Sequence, residues 1–150
     1  MKELTGFLIS DVARLMRREF DARAKKLGVT RPQWRTLLVL QRHEGVRQTA
    51  LAEKLEVEPI SLCRMIDRLE ESGLVERRRD PADRRAWQLF LTPEAGPLLT
   101  QLHRIAGDIG SDVFHWLDDE QEAAFAATLT RMRDALADSC GERRAEVANG

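Results

Sequence analysis

Apolar residues recur along the chain at intervals that change character twice, and each change marks a boundary. Leu8, Val12, Leu15, Met16 and Phe20 are spaced by threes and fours, one stripe of an amphipathic helix that Gly28 closes. Thr30 followed by Pro32 opens a second helix, since threonine caps free amides and proline is tolerated in a first turn. Trp34, Leu37, Leu38 and Leu40 give that helix its bulk, and Gly45 ends it. Gln48 to Leu55 is a short third helix with Leu51, Ala52 and Leu55 apolar. Pro59 starts a fourth, in which Leu62, Met65, Ile66 and Leu69 form the inward stripe, while Ser61, Arg64, Arg68 and Glu71 fall elsewhere on its surface. Gly73 closes it.

After Gly73 the period drops to two. Val75, Arg77 and Arg79 alternate with Glu76 and Arg78, and Trp87, Leu89 and Leu91 alternate with Gln88 and Phe90, so two strands flank the turn Asp80 to Ala86. Thr92-Pro93-Glu94 then opens a long helix with Leu98, Leu102, Ile105, Ile109 and Val113 on one side. Gly107 and Gly110 weaken that helix and predict a close helix crossing there. A last helix from about Asp119 carries Phe125, Leu129, Met132 and Leu136, a narrow seam suited to a partner helix. Two helices joined by a short turn and followed at once by a hairpin predict a winged helix-turn-helix. The fold class is therefore mainly α with a small β-hairpin wing, flanked by N- and C-terminal helices. Residues 1–29 form the N-terminal helix, 30–92 the winged head, 93–140 the C-terminal helices and 141–150 a flexible tail.

Composition narrows what such a fold can do. The chain has 150 residues, enough for one core. No apolar run approaches the roughly 18 residues that cross a bilayer, and no signal pattern opens the chain, so a cytoplasmic protein without a membrane partner is expected. Cys63 and Cys140 form no CxxC, and His43, His103 and His115 are scattered, which predicts neither a disulfide framework nor a metal site. No pairing of nucleophile and base and no phosphate loop is present, so neither catalytic residues nor a cofactor is expected. The net charge of -1 conceals an asymmetry: residues 1–85 hold 19 basic and 14 acidic side chains, and the remainder holds 5 and 11.

The basic surplus falls where double-stranded DNA would need it. A recognition helix from Pro59 to Ser72 would enter the major groove with its N-terminal half against base edges, making Ser61 and Arg64 the candidate base contacts. Arg68, one turn later, is placed to reach phosphate. The wing reads RRRDPADRR from Arg77 to Arg85, five Arg against two Asp. Arg85, and after it Arg84, have the shape and charge to enter the minor groove. Asp80 and Asp83 can accept local hydrogen bonds or hold an Arg side chain. One of Arg77, Arg78 and Arg79 would contact phosphate, with Arg77 the candidate. Cys63, beside Arg64, raises a thiol redox sensor as an alternative, although its apolar neighbours favour an inert thiol. A helical protein-interaction module of the same fold is the other alternative, motivated by Glu56, Glu58 and the overall acidity.

LAEKLEVEPISLCRMIDRLEESGLVERR at Leu51 to Arg78, DPADRR at Asp80 to Arg85 and FLTPEA at Phe90 to Ala95 together resemble the MarR/SlyA winged-helix transcription regulators. The similarity extends over roughly residues 7–138. The resemblance implies an obligate homodimer with interlocked terminal helices and two heads on a palindromic operator, and a repressor is the expected sign of regulation. It further implies that Arg64 reads bases or nearby backbone, that Asp83 orients Arg85, and that Arg85 enters the minor groove. A phenolic or aromatic-acid effector is implied too, for which Arg14, Arg17 and Trp34 are the pocket candidates. The sequence departs from the family pattern at Glu56, where Gly is common, and at Glu58, where a capping Ser is frequent.

Overall fold

Helix ends fall where the sequence punctuates its apolar period. The computed structural model describes residues 1–148, and its helices are α1 (Lys2–Ala24), α2 (Arg31–Gln41), α3 (Gln48–Leu55), α4 (Pro59–Glu71), α5 (Ala95–Phe114) and α6 (Asp119–Ala148). Strands β1 (Val46–Arg47), β2 (Val75–Arg79) and β3 (Trp87–Leu91) form one antiparallel sheet in the order β1-β3-β2. The sequence predicts only β2 and β3. The two residues of β1 are too few to establish a period of two, and they become a strand by pairing Val46 with Leu89 and Arg47 with Gln88. Gly45 makes that edge possible. Its amide donates to the Leu89 carbonyl at 2.9 Å, its φ is +77°, and an added Cβ would lie 3.3 Å from the Phe90 ring.

The chain divides into two compact units, Met1–Ile109 and a second beginning at Gly110. In the first, the stripe of α4, namely Leu62, Ile66 and Leu69, packs with Leu37 and Leu40 of α2, Leu51 and Leu55 of α3, and Val75 and Leu89 of the sheet. Every one of these is buried. Removing that much apolar surface from water is the main force holding the head together. Helix α1 is joined to α2 by a smaller contact. The Phe20 and Trp34 rings stand 4.3 Å apart between centroids, the Trp34 indole donates to Asp21 Oδ1 at 3.0 Å, and Arg31 ion-pairs with the other oxygen of the same carboxylate.

In the second unit, Asp118 and Gln121 cap α6 reciprocally, and Phe114 meets Phe125 at 6.0 Å between ring centroids. The apolar seam Phe125, Leu129, Met132 and Leu136 is exposed. On α1 only Phe20 of the predicted stripe is buried, and Leu8, Val12 and Leu15 are exposed along with Leu4 and Phe7. Among the described residues of this chain no close crossing occurs at Gly107 or Gly110, since a Cβ at either would meet no atom within 4 Å. Helix α6 runs to Ala148 and so takes in most of the segment that the sequence assigns to a tail. Asn149 and Gly150 lie outside the described residues.

Glu56 caps α3 in the left-handed region, with φ 54° and ψ 47°, and is the sole non-glycine residue with positive φ among the described residues. That conformation costs an L-residue about 1–2 kcal/mol, partly offset in glycine by a more flexible unfolded chain. Glu56→Gly is therefore expected to stabilise the fold by about 0.5–1 kcal/mol. The midpoint of urea unfolding should rise at unchanged slope, and an unchanged or lower midpoint would contradict the assignment of strain.

Candidate nucleic-acid interface

Helix α4 presents two faces because its inward stripe is complete. With Leu62, Ile66 and Leu69 buried, Ile60, Ser61, Arg64 and Arg68 are left exposed on the opposite surface. Residues 60, 64 and 68 are four apart, which sets them in one row along the helix. Glu58 precedes this helix without making a side-chain cap, and Pro59 fills the first helical position. The predicted contacts Ser61, Arg64 and Arg68 thus share one open face.

The wing is built differently from its sequence expectation, because most of its arginines are engaged within the head. Arg77 is the most committed, with only 14% of its side chain exposed. Its guanidinium donates to Asp67 Oδ1 at 2.5 Å, Glu70 Oε2 at 2.6 Å, Gln48 Oε1 at 3.2 Å and the Cys63 carbonyl at 3.3 Å. Its backbone amide donates to Glu70 Oε1 at 3.1 Å. Burial opposes the charge on Arg77, but the hydrogen bonds to Asp67 and Glu70 prevail and hold its pKa above the ordinary guanidinium value. Arg78 pairs with Glu76 and lies 4.2 Å over the Phe90 ring. Arg79 lies 4.0 Å over Trp87 and donates to the Arg84 carbonyl at 2.8 Å.

The tip is shaped by two aspartates. Asp80 is 4% exposed, and its carboxylate accepts from the Ala82 amide at 2.8 Å and from Arg47 Nε at 2.7 Å. Its own amide donates to the Ala86 carbonyl at 3.1 Å, closing the turn. Asp83 Oδ1 accepts the backbone amide of Arg85 at 3.0 Å, so it fixes the main chain at Arg85 and makes no ion pair with that guanidinium. Among the described residues, the side chains of Arg84, Arg85, Arg64 and Arg68 have no protein partner. Arg47 was not a candidate in the sequence, because its partner Asp80 stands 33 residues away. Asp67 and Glu70, three apart on one helix, were a signal that some cation would bridge them.

Of the pocket candidates, Arg17 and Trp34 come together. With Met16, Phe20, Ala106 and Ile109 they line a hollow of about 170 Å³. Arg14 is not part of it and pairs with Asp11 at 3.0 Å. A larger hollow of about 260 Å³ lies between α2 and the start of α4, with Arg35, Val57, Ser61 and Met65 on its walls, and no sequence period signals it. Cys63 is half-buried, its sulfur 4.0 Å from Arg77 Nη2. Among the described residues no cluster of His, Cys, Asp and Glu could hold a metal, and no helix is long and apolar enough to cross a membrane.

The sequence model of the MarR family matches residues 29–87, which span α2 to the start of β3. A MarR transcriptional regulator from Methanosarcina mazei Go1 is 28% identical and superposes with a TM-score of 0.81, covering 91% of this chain and 98% of that one. The transcriptional regulator PA3341 is 35% identical with a TM-score of 0.77, covering 89% of this chain and 98% of that one. A mutant MarR from E. coli, solved with operator DNA, is 26% identical with a TM-score of 0.69, covering 85% of this chain and 91% of that one.

The wing carries its own pH dependence. The Ala82 amide, the Arg47 guanidinium and the Asp83 amide outweigh burial and hold the Asp80 carboxyl below its ordinary 3.8. A depressed carboxylate contributes stability above its unfolded pKa, and that contribution is lost as pH falls through the folded value. The amide resonances of Ala82 and Ala86 are therefore expected to stay fixed above pH 3.8 and to move below it. In Asp80→Asn they should be displaced at neutral pH, and a variant with the wild-type spectrum would remove Asp80 from this role.

Proposed function

The chain belongs to the MarR family of transcriptional regulators, and from that membership we propose a homodimer whose two winged heads bind a palindromic DNA operator. Helix α4 lies in the major groove, with Ser61 and Arg64 against base edges and Arg68 on phosphate. The wing tip enters the minor groove through Arg85, with Arg84 beside it and Asp83 holding the backbone that aims them. The observation that carries this reading is the division of the arginines. Arg77, Arg78 and Arg79 are engaged within the head, while Arg64, Arg68, Arg84 and Arg85 are left without protein partners. Free guanidiniums on an open helix face and at a hairpin tip are the groups that bind phosphate oxygens and guanine edges. Arg77 acts within this scheme as a brace between helix and wing, with any phosphate contact secondary.

Residues 30–92 serve as the DNA-binding part, and residues 1–29 and 93–140 as the dimerisation part. The exposed seams of α1 and of α6 support that division, since each leaves an apolar row in water that a second copy would cover. The protein acts in the cytoplasm as a repressor. The hollow at Arg17 and Trp34 takes a small aromatic or phenolic acid, its carboxylate on the guanidinium and its ring on the indole. A ligand that prefers the spacing of heads incompatible with DNA shifts the population and releases the operator.

Fluorescence anisotropy on the promoter fragment upstream of its own gene tests the core of this. Binding should weaken steeply with salt, with a dimer bound per palindrome. Arg85→Ala should weaken binding to every sequence and lower the salt slope by about one, whereas Arg64→Ala should cost about 1–3 kcal/mol and relax base preference. Unchanged affinity in both variants would overturn the interface.

The effector site has a separate check. Adding 2-hydroxybenzoate should weaken DNA binding by at least about fivefold in the wild type. Arg17→Ala should bind DNA normally and lose the response, and an equal response in both proteins would move the ligand elsewhere.

A further inference from the structure

We propose that Ile60 reads sequence by packing on the C5-methyl group of a thymine in the operator. This rests on the DNA-binding reading above and adds a specificity determinant to it. Ile60 is 62% exposed, and it is the only large apolar side chain exposed on α4. The fold does not need it outside, since Leu62, Ile66 and Leu69 already complete the buried face of that helix. It is a single large apolar residue on the exposed face of α4, whereas the apolar seams of α1 and α6 are rows of four or more residues suited to another helix.

Its neighbours narrow what Ile60 can meet. It sits in the first turn of α4, four residues before Arg64 and eight before Arg68, in the row of free guanidiniums. The N-terminal end of a recognition helix is the part that approaches base edges. The approach to this end of α4 is anionic and apolar, Glu56-Val57-Glu58-Pro59-Ile60, with Val57 exposed as well. Its side chains offer no donor to phosphate. What an isobutyl-sized apolar group can recognise in the major groove is the methyl of thymine, the one apolar feature that a base pair presents there. The row along α4 then becomes an ordered set: a methyl contact at Ile60, a base contact at Arg64 and phosphate at Arg68.

The experiment uses the full chain and a pool of random duplexes, amplified once with dTTP and once with dUTP, which removes every thymine methyl. The wild type should select a palindromic consensus from the first pool, with thymine required at one position in each half-site. Replacing that thymine by deoxyuridine should weaken wild-type binding roughly fourfold per contact, the value of one methyl-sized apolar group removed from water. Ile60→Ala, an exposed change that preserves helix propensity, should bind the thymine and deoxyuridine duplexes equally while keeping the Arg64-dependent base preference.

Three results overturn the proposal. If the wild type binds its consensus but is indifferent to deoxyuridine, the methyl contact is absent. If deoxyuridine weakens wild type and Ile60→Ala equally, another residue makes the contact. Failure of the wild type to enrich any sequence from the dTTP pool would remove the DNA-binding reading itself, and this inference with it.

Discussion

One guanidinium sets the geometry of the head. Arg77, on the first strand of the wing, reaches back to two carboxylates on α4, to the Gln48 amide oxygen at the start of α3, and to the Cys63 carbonyl one turn before Asp67 on α4. In the proposed mode of binding, helix α4 and the wing reach one DNA duplex only if their separation is fixed, and a planar fork with five donors fixes it in several directions at once. Asp67 and Glu70 are about half exposed, so solvent screens the ion pairs and their contribution is positional more than energetic. The apolar core beneath supplies the stability.

The charge along the chain follows from this arrangement. A net charge of -1 would argue against a nucleic-acid partner if it were spread evenly. It is instead a basic N-terminal part and an acidic remainder, and the basic part is itself sorted. Carboxylates at Asp67, Glu70, Glu76 and Asp80 each engage an arginine within the head. Among the arginines without a protein partner, Arg64 and Arg68 lie on the open face of α4 and Arg84 and Arg85 at the wing tip.

Much of the fold was legible. The spacing of Leu62, Ile66 and Leu69, the proline at the head of α4 and the alternation through Val75 to Arg79 fix these elements locally, because helix and strand periods are properties of adjacent residues. Two of the three stretches that resemble MarR/SlyA regulators, Leu51 to Arg78 and Asp80 to Arg85, fall on α3, α4 and the wing inside the family match, and the third, Phe90 to Ala95, follows its end at residue 87. The candidate interface was legible only in part. Arg64, Arg68, Arg84 and Arg85 are where the sequence puts them, on an open helix face and an open turn. The role of Arg77 was hidden, because a run of three arginines reads alike whether it is solvated or caged.

The chain by itself determined where its helices and hairpin lie and, α6 apart, the residues that close them, since caps, prolines and apolar periods act within a few residues of where they stand. Tertiary structure alone decided that Val46 and Arg47 form a third strand, that Asp80 pairs with Arg47, and that Arg14 stands away from Arg17 and Trp34. It also decided which arginines remain free. Partners such as Arg47 and Asp80 are 33 residues apart, and a guanidinium's preference among carboxylates depends on distance in space. Sequence spacing does not encode that distance until the core has packed.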